Sequence, residues 1–265
     1  MTTNVLDRRF CRVTSDSRWS VPFEVDGVKY LWYADDTGFD KIAQRDDEVL
    51  ICAGDAKLIE QWKAWFTSEE PVNEIPPTDR VELDGSFHEI YVTIVRMEPE
   101  PFTVAFHSGD YDHLGGTGDS FDDADASFTG SGGGYAKACY SVHSCSLKCV
   151  DTAGQSDPAT GGEVKFVDLA RQTSNLSSVS ASYESILEKL RTEGTVMNMT
   201  TMAKEEISNL NRTELAQALA ANKLSVAAPT GRAPRTWTVE EKRKVSEVMR
   251  EIVQSQKQKQ KKPTP

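Results

Sequence analysis

Thr2 stands directly behind Met1 in "MTTNVLDRRFCRVTSDSRWS". Methionine is ordinarily trimmed ahead of so small a residue, and its removal would give Thr2 a free α-amino group. A terminal threonine carries nucleophile and base together, because its hydroxyl attacks while its own amine takes the proton. An unperturbed α-amino group titrates at about 7.7–8, close to where a general base works best. A nearby ammonium favours the neutral, basic amine. A lysine in that position needs a carboxylate to hold it, and backbone N–H groups must receive the developing oxyanion. The chain supplies these pieces in order. Asp16 lies in "TSDSRWS", and Lys41 is followed by Ile42. Ala53-Gly54 comes directly before a helical pattern, and Gly130-Ser131-Gly132 before a second one. Asp157, Thr160, Gly161 and Gly162 lie in "SDPATGGEVKF".

Other groups invite other chemistry and fit it less well. Cys139, His143, Cys145 and Cys149 suggest a metal, but on one continuous helix, at ~100° per residue, the two pairs point in different directions. Cys145 and Cys149 would instead share a face with Tyr135, Ala138, Val142 and Ala153, which reads as core. Asp119, Asp122, Asp123 and Asp125 lack the glycine and closing glutamate of a calcium loop and read as solvated. Gly130-Ser131-Gly132 lacks the Lys-Ser/Thr that a phosphate-binding loop needs. No cofactor or metal is expected. Each candidate also has a bland role: Asp16 as a turn cap, Lys41 as a surface lysine, Gly54 as a helix start.

The elements that must carry these residues follow from periodicity. "RFCRVTSDSRW" has short strand character, and "GVKYLWYA" and "DEVLICAG" read as strands. "DAKLIEQWKAWF" places Leu58, Ile59, Trp62, Trp65 and Phe66 on one helical face, as core or as a subunit interface. "HEIYVTIVRM" and "PFTVAFHS" are two more strands, followed by a polar loop over 109–126. "YAKACYSVHSCSLKCVDTAG" reads as one long helix and "EVKFVDLA" as a strand. Hairpin-linked strands with segregated helices predict an α+β fold, with sheets covered by helices rather than alternating βαβ units. From residue 172 the character changes to a Ser-rich linker and helices. The last of these opens at Thr238 with Glu241 three residues on, a capping box. The division is therefore 1–171 for the main domain and 172–265 for a linker with a helical extension.

Composition bounds the function. Residues 1–180 hold 15 Lys/Arg against 31 Asp/Glu, and residues 181–265 hold 15 against 10. The acidic part repels nucleic acid, and the basic tail "QKQKQKKPTP" reads as a solvated end. No apolar run reaches the ~18 residues of a membrane span, and no secretory signal pattern is visible. The 5 cysteines, odd in number and widely spaced, fit reduced thiols in a cytoplasm.

The ordered set of pieces resembles the threonine peptidases of the proteasome β-subunit family. It also resembles the peptidase of the bacterial two-component ATP-dependent protease and short phage and bacterial relatives that begin Met-Thr-Thr. The resemblance rests on Thr2, Asp16-Ser17-Arg18, Lys41-Ile42, Ala53-Gly54, Gly130-Ser131-Gly132 and Asp157 with Thr160-Gly161-Gly162, and covers about residues 2–170. It implies the four-layer αββα sandwich of N-terminal-nucleophile hydrolases and cleavage of polypeptide amide bonds through an acyl-enzyme. Thr2 would be nucleophile and base. Lys41 would lower the pKa of the amine, Asp16 would pair with Lys41, and the Gly54 amide would donate to the oxyanion. Ser131, Asp157 and Thr160 would support the amine and its proton path. Family members form rings, so a homo-oligomer is implied, with residues 180–258 available for an ATPase or assembly partner. The alternative is the same fold without catalysis, serving assembly, for example in a phage particle. Departures from the pattern are "DRRF" in place of an Asp-Gly turn, a longer "WYADD" stretch before Lys41, the acidic loop, and everything after 172.

Overall fold

The computed structural model describes residues 2–68, 75–77, 81–83, 86–98, 100–118, 120–177, 181–205, 215, 217–218, 221, 224–228, 230 and 236–261. Met1, Asp119, most of the helical pattern over 206–223, the connector 231–235 and the last four residues of the tail lie outside that set.

The chain opens with the hairpin β1 (Asn4–Asp7) and β2 (Arg12–Ser15), joined by a 3-10 turn over Arg8–Phe10. Next come the hairpin β3 (Trp19–Val25) and β4 (Val28–Ala34), then the hairpin β5 (Ile42–Arg45) and β6 (Glu48–Asp55). Helix α1 (Ala56–Thr67) follows at once, its N-terminus capped by the Asp55 carboxylate on the Lys57 and Leu58 amides. A small ribbon of β7 (Val81–Leu83) and β8 (Ser86–His88) precedes β9 (Ile90–Arg96), β10 (Thr103–His107), β11 (Asp112–Leu114) and β12 (Ala126–Thr129). Then come α2 (Gly133–His143), α3 (Ser146–Gly154), β13 (Lys165–Asp168) and β14 (Thr173–Ser174). The chain continues through α4 (Tyr183–Glu193), β15 (Thr195–Asn198), β16 (Lys204–Glu205), β17 (Ala227–Ala228) and α5 (Val239–Lys261).

Two antiparallel sheets result, so the fold is α+β. The smaller has the order β11-β12-β1-β2-β13-β14. The larger runs β10-β9-β6-β17-β3-β4-β15-β16, with β5 also on β6. Because successive strand residues face opposite ways, each sheet has two apolar faces. Val5, Ala126 and Phe128 of the smaller sheet bury Ala136, Cys139 and Tyr140 of α2 and Cys149, Val150 and Ala153 of α3. On its other face Leu6, Val13 and Val167 meet Ile42, Val49, Ile51 and Val95 of the larger sheet. The larger sheet turns Leu50 and Cys52 the opposite way, toward Trp62 and Phe66 of α1, Leu190 of α4 and Val245 and Met249 of α5.

Three sequence readings change. The stretch "YAKACYSVHSCSLKCVDTAG" is two helices, because Ser144 takes a left-handed conformation (φ 47) and ends α2. The common face drawn through it therefore does not exist: Tyr135, Ala138 and Val142 are exposed, while Cys149 and Ala153 are buried. The acidic loop contains an edge strand, β11, paired with β12. The region after 172, read as helical, also contributes β15, β16 and β17 to the larger sheet, and Ile186, Leu190, Val196, Val226 and Trp237 to its main core. The expected helix N-terminus at 238 is present as a full capping box: the Thr238 amide donates to Glu241 Oε2 (2.7 Å) and the Glu241 amide to Thr238 Oγ1 (3.2 Å). No helix among the described residues is long and apolar enough to cross a membrane.

Ile51, 1% exposed between the sheets, tests this layering. Ile51→Ala should cost about 2–5 kcal/mol in chemical denaturation. Val142→Ala, at a site 74% exposed, should stay within about 0.5 kcal/mol. Equal costs at the two positions would contradict the placement of the core.

Candidate active site

Three chain segments end at one place. Thr2 leads into β1, Asp16 leaves β2, and the Asp16 amide closes the pair by donating to the Thr3 carbonyl (3.3 Å). Lys41 leads into β5 on the larger sheet, with its carbonyl accepting from the Cys52 amide of β6 (2.9 Å). Asn4 links the sheets, its Nδ2 donating to the Cys52 carbonyl (3.3 Å) while its Oδ1 accepts from the Ser15 hydroxyl (2.7 Å).

At this junction the Thr2 hydroxyl donates to Asp16 Oδ1 (2.6 Å) and accepts from Lys41 Nζ (2.9 Å). Lys41 Nζ also donates to Asp16 Oδ1 (2.8 Å), which accepts a third bond from the Thr3 amide (3.0 Å). Asp16 Oδ2 accepts from the Arg18 and Gly161 amides, each at 3.2 Å. All three side chains are buried: Thr2 is 0% exposed, Asp16 1% and Lys41 1%. Burial pushes the Lys41 ammonium below the ordinary lysine range, and the charge and hydrogen bond of Asp16 oppose that shift. The Trp19 ring, 5.5 Å from Lys41 Nζ, helps to enclose it, and is itself held by its Nε1–H on the Phe39 carbonyl (2.8 Å). A charged carboxylate with five donors needs no water, so the cluster satisfies itself in a dry place.

A second network lies behind the first. Asp157 Oδ2 accepts from the Ser131 hydroxyl (2.5 Å) and the Thr160 hydroxyl (2.7 Å), and Thr160 Oγ1, its own proton given to Asp157, accepts from the Thr3 hydroxyl (2.8 Å). Ser131, Asp157 and Thr160 thus come together with each other and with Thr3, while Thr2 is reached through backbone: the Gly132 amide donates to the Thr2 carbonyl (3.4 Å). Gly130 has φ +91, and a Cβ there would lie 2.0 Å from the Thr2 carbonyl oxygen, so only glycine lets this loop close on the first strand.

Gly54 stands at the end of β6, two residues beyond Cys52. Its φ is +123, and a Cβ would lie 2.2 Å from the Glu89 carbonyl, so the close approach of β9 requires glycine here. The Cys52 amide points to Lys41 and the Asp55 amide points the other way, to the Glu89 carbonyl (2.8 Å). The period of two therefore turns the Gly54 N–H to the same edge of β6 as Lys41.

Residues that sequence reasoning left out complete the site. Thr3 bridges the two networks. Asp35, from the "WYADD" stretch, grips the Arg18 guanidinium (2.7 and 2.8 Å), which also stacks 3.8 Å over the Tyr33 ring and donates to the Pro158 carbonyl (2.6 Å). Asp36 accepts from the Ser17 hydroxyl (2.6 Å) and the Glu163 amide (2.7 Å). The long connection before Lys41 thereby clamps "DSR" to the loop that follows Asp157. Two aspartates following a strand were the only available signal. No protein-family model matches the chain, and a search among curated proteins finds no similar one.

Asp16→Ala leaves the Lys41 ammonium buried without its partner and should cost about 3–5 kcal/mol. In the double variant Asp16→Ala/Lys41→Met no such charge remains. The double-mutant cycle should return a coupling of about 1–3 kcal/mol from denaturation midpoints. Additive losses would show that the two groups do not share one dry site.

Proposed function

We propose that the chain is an N-terminal threonine peptidase of the proteasome-like class, hydrolysing polypeptide amide bonds through an acyl-enzyme once Met1 is removed. One observation carries this reading: the Thr2 hydroxyl sits in hydrogen-bond contact with a buried lysine that is itself paired with a buried aspartate. Trimming Met1 frees the Thr2 amine, which accepts the hydroxyl proton as Oγ1 attacks the substrate carbonyl. The Lys41 ammonium beside Oγ1 disfavours a second positive charge on that amine, keeping it basic, and stabilises the developing alkoxide. The tetrahedral oxyanion receives the Gly54 N–H, which lies on the same strand edge and at the N-terminal end of α1. The amine then passes its proton to the leaving nitrogen, and water enters by the reverse sequence to release the acid and restore Thr2. Asp157, Ser131 and Thr160 hold the first strand in register through Thr3.

The order of packing supports the four-layer αββα sandwich that accompanies this chemistry, with α2 and α3 outside one sheet and α1, α4 and α5 outside the other. On this reading the protein is cytoplasmic and a ring-forming homo-oligomer. Residues 180–258 serve assembly or an ATPase partner.

A second reading keeps the fold and drops the reaction, leaving an assembly protein, for example of a phage particle. The observation in its favour is that the Thr2 side chain has no solvent exposure, whereas a nucleophile must meet its substrate.

Intact mass and peptide turnover separate the two. The peptidase reading expects a chain lighter by one methionine, hydrolysis of a fluorogenic peptide, and loss of at least about a thousandfold in Thr2→Ala in a variant that still folds, its melt lowered by the lost buried hydrogen bonds. Thr2→Ser should retain activity. A chain that keeps Met1, or a Thr2→Ala variant that still turns over substrate, would leave only the scaffold.

A further inference from the structure

The larger sheet is divided near its middle. Among the described residues β3 and β6 share no ladder pairs; they are joined through β17, two residues that arrive from the far end of the chain. Ala227 lies opposite Ser20 of β3 on one side and Asp55 of β6 on the other, and Ala228 lies opposite Gly54. The Ala56 amide donates to the Val226 carbonyl (3.0 Å). Hydrogen-bonded pairs recur every second residue in an antiparallel ladder, so Gly54 and Ala228 are the next such pair. The amide assigned to the oxyanion therefore faces the carbonyl of Ala228. Along that same edge of β6, the next outward amide belongs to Cys52 and holds Lys41, about 7 Å further on at strand spacing. Running antiparallel to β6, the segment advances from Ala56 toward Lys41.

The segment is also tied by side chains. The Ser225 hydroxyl donates to Asp55 Oδ2 (2.5 Å), the oxygen that also bonds His88 Nδ1 (2.7 Å), while Asp55 Oδ1 caps α1. Val226 and Ala228 are buried in the main core, and the Thr230 hydroxyl donates to Glu89 Oε1 (3.0 Å). Main-chain pairing on both edges with small residues inward is how an extended peptide is added to a sheet.

We propose that the cleft between β3 and β6 is a groove for an extended peptide of small residues, and that the chain fills it with its own Ser225-Val226-Ala227-Ala228. The segment is a tethered pseudosubstrate, whose catalytic meaning rests on the role assigned above to Gly54 and Thr2. Tethering gives the segment a higher effective concentration than a free peptide at micromolar levels. A free peptide then enters only when the tethered strand leaves.

The test uses the full chain and a fluorophore-labelled, end-blocked peptide Leu-Ser-Val-Ala-Ala. Ala227→Pro removes the N–H that faces β3 and breaks the added strand. The folded variant should bind the peptide at least about tenfold more tightly than the parent. Amide exchange at Gly54 and Ala56 should quicken by a similar factor and slow again when the peptide is added. A folded variant that does not bind, or equal binding by variant and parent, overturns the proposal. If Ala227→Pro does not fold, Ser225→Ala, which removes one hydroxyl, must still quicken exchange at Gly54; unchanged exchange there overturns it. None of these readouts needs turnover. Peptide binding without any hydrolysis keeps the groove and sinks the peptidase reading. Hydrolysis by the parent without peptide binding by the folded variant sinks the groove alone.

Discussion

A lysine ammonium shut away from water is the condition on which this structure turns. Removing such an ion from solvent costs several kcal/mol even after relaxation, and burial drives Lys41 toward its neutral form. Asp16 offsets this at 2.8 Å, but a carboxylate with a single cation would leave its other lone pairs bare. The amides of Thr3, Arg18 and Gly161 fill them. Those three amides come from the residue just before β1, the turn after β2, and the loop after α3. Two sheets and a distant loop must therefore be in place before the pair is tolerable, and the Thr2 hydroxyl is the remaining partner both charges share.

The same condition explains why the surroundings are so heavily braced. Arg18 is fixed by Asp35, by the Tyr33 ring and by the Pro158 carbonyl, so that its backbone amide stays aimed at Asp16. Gly130 and Gly54 each permit a backbone approach that a side chain would block. The C-terminal region belongs to this frame as well. Its strands extend the larger sheet and bridge its middle, and its helices cover the face that carries Leu50 and Cys52. The opposite charge balance of the two parts of the sequence thus does not prevent them from sharing one core.

Much of this was legible in the residues. A continuous apolar run ending in Gly54 marked β6, an Asp followed by a helical apolar face marked α1, and Thr238 with Glu241 marked α5. Thr2, Asp16 and Lys41 were found because their chemistry requires one another, and the structure brings those three together. What escaped notice has local causes. Ser144 carries no sign that it will turn left-handed, so two helices read as one. Thr3 looks like a repeat of Thr2, yet faces the Asp157 network, because adjacent strand residues point to opposite sides. β17 is a two-residue strand within "SVAAP"; its pairing is set by the edges of β3 and β6, which are far away in sequence, and no periodicity can emerge from two residues.

The most direct measurement is nitrogen NMR of the lysine side chains in the full chain. One Nζ, assigned to Lys41 by its loss in Lys41→Met, should exchange its protons slowly, show coupling across a hydrogen bond to the Asp16 carboxylate, and titrate below the ordinary lysine value near 10.4. A Lys41 signal that exchanges as fast as the surface lysines, uncoupled to any carboxylate and titrating at the ordinary value, would mean that no dry cation stands beside the Thr2 hydroxyl.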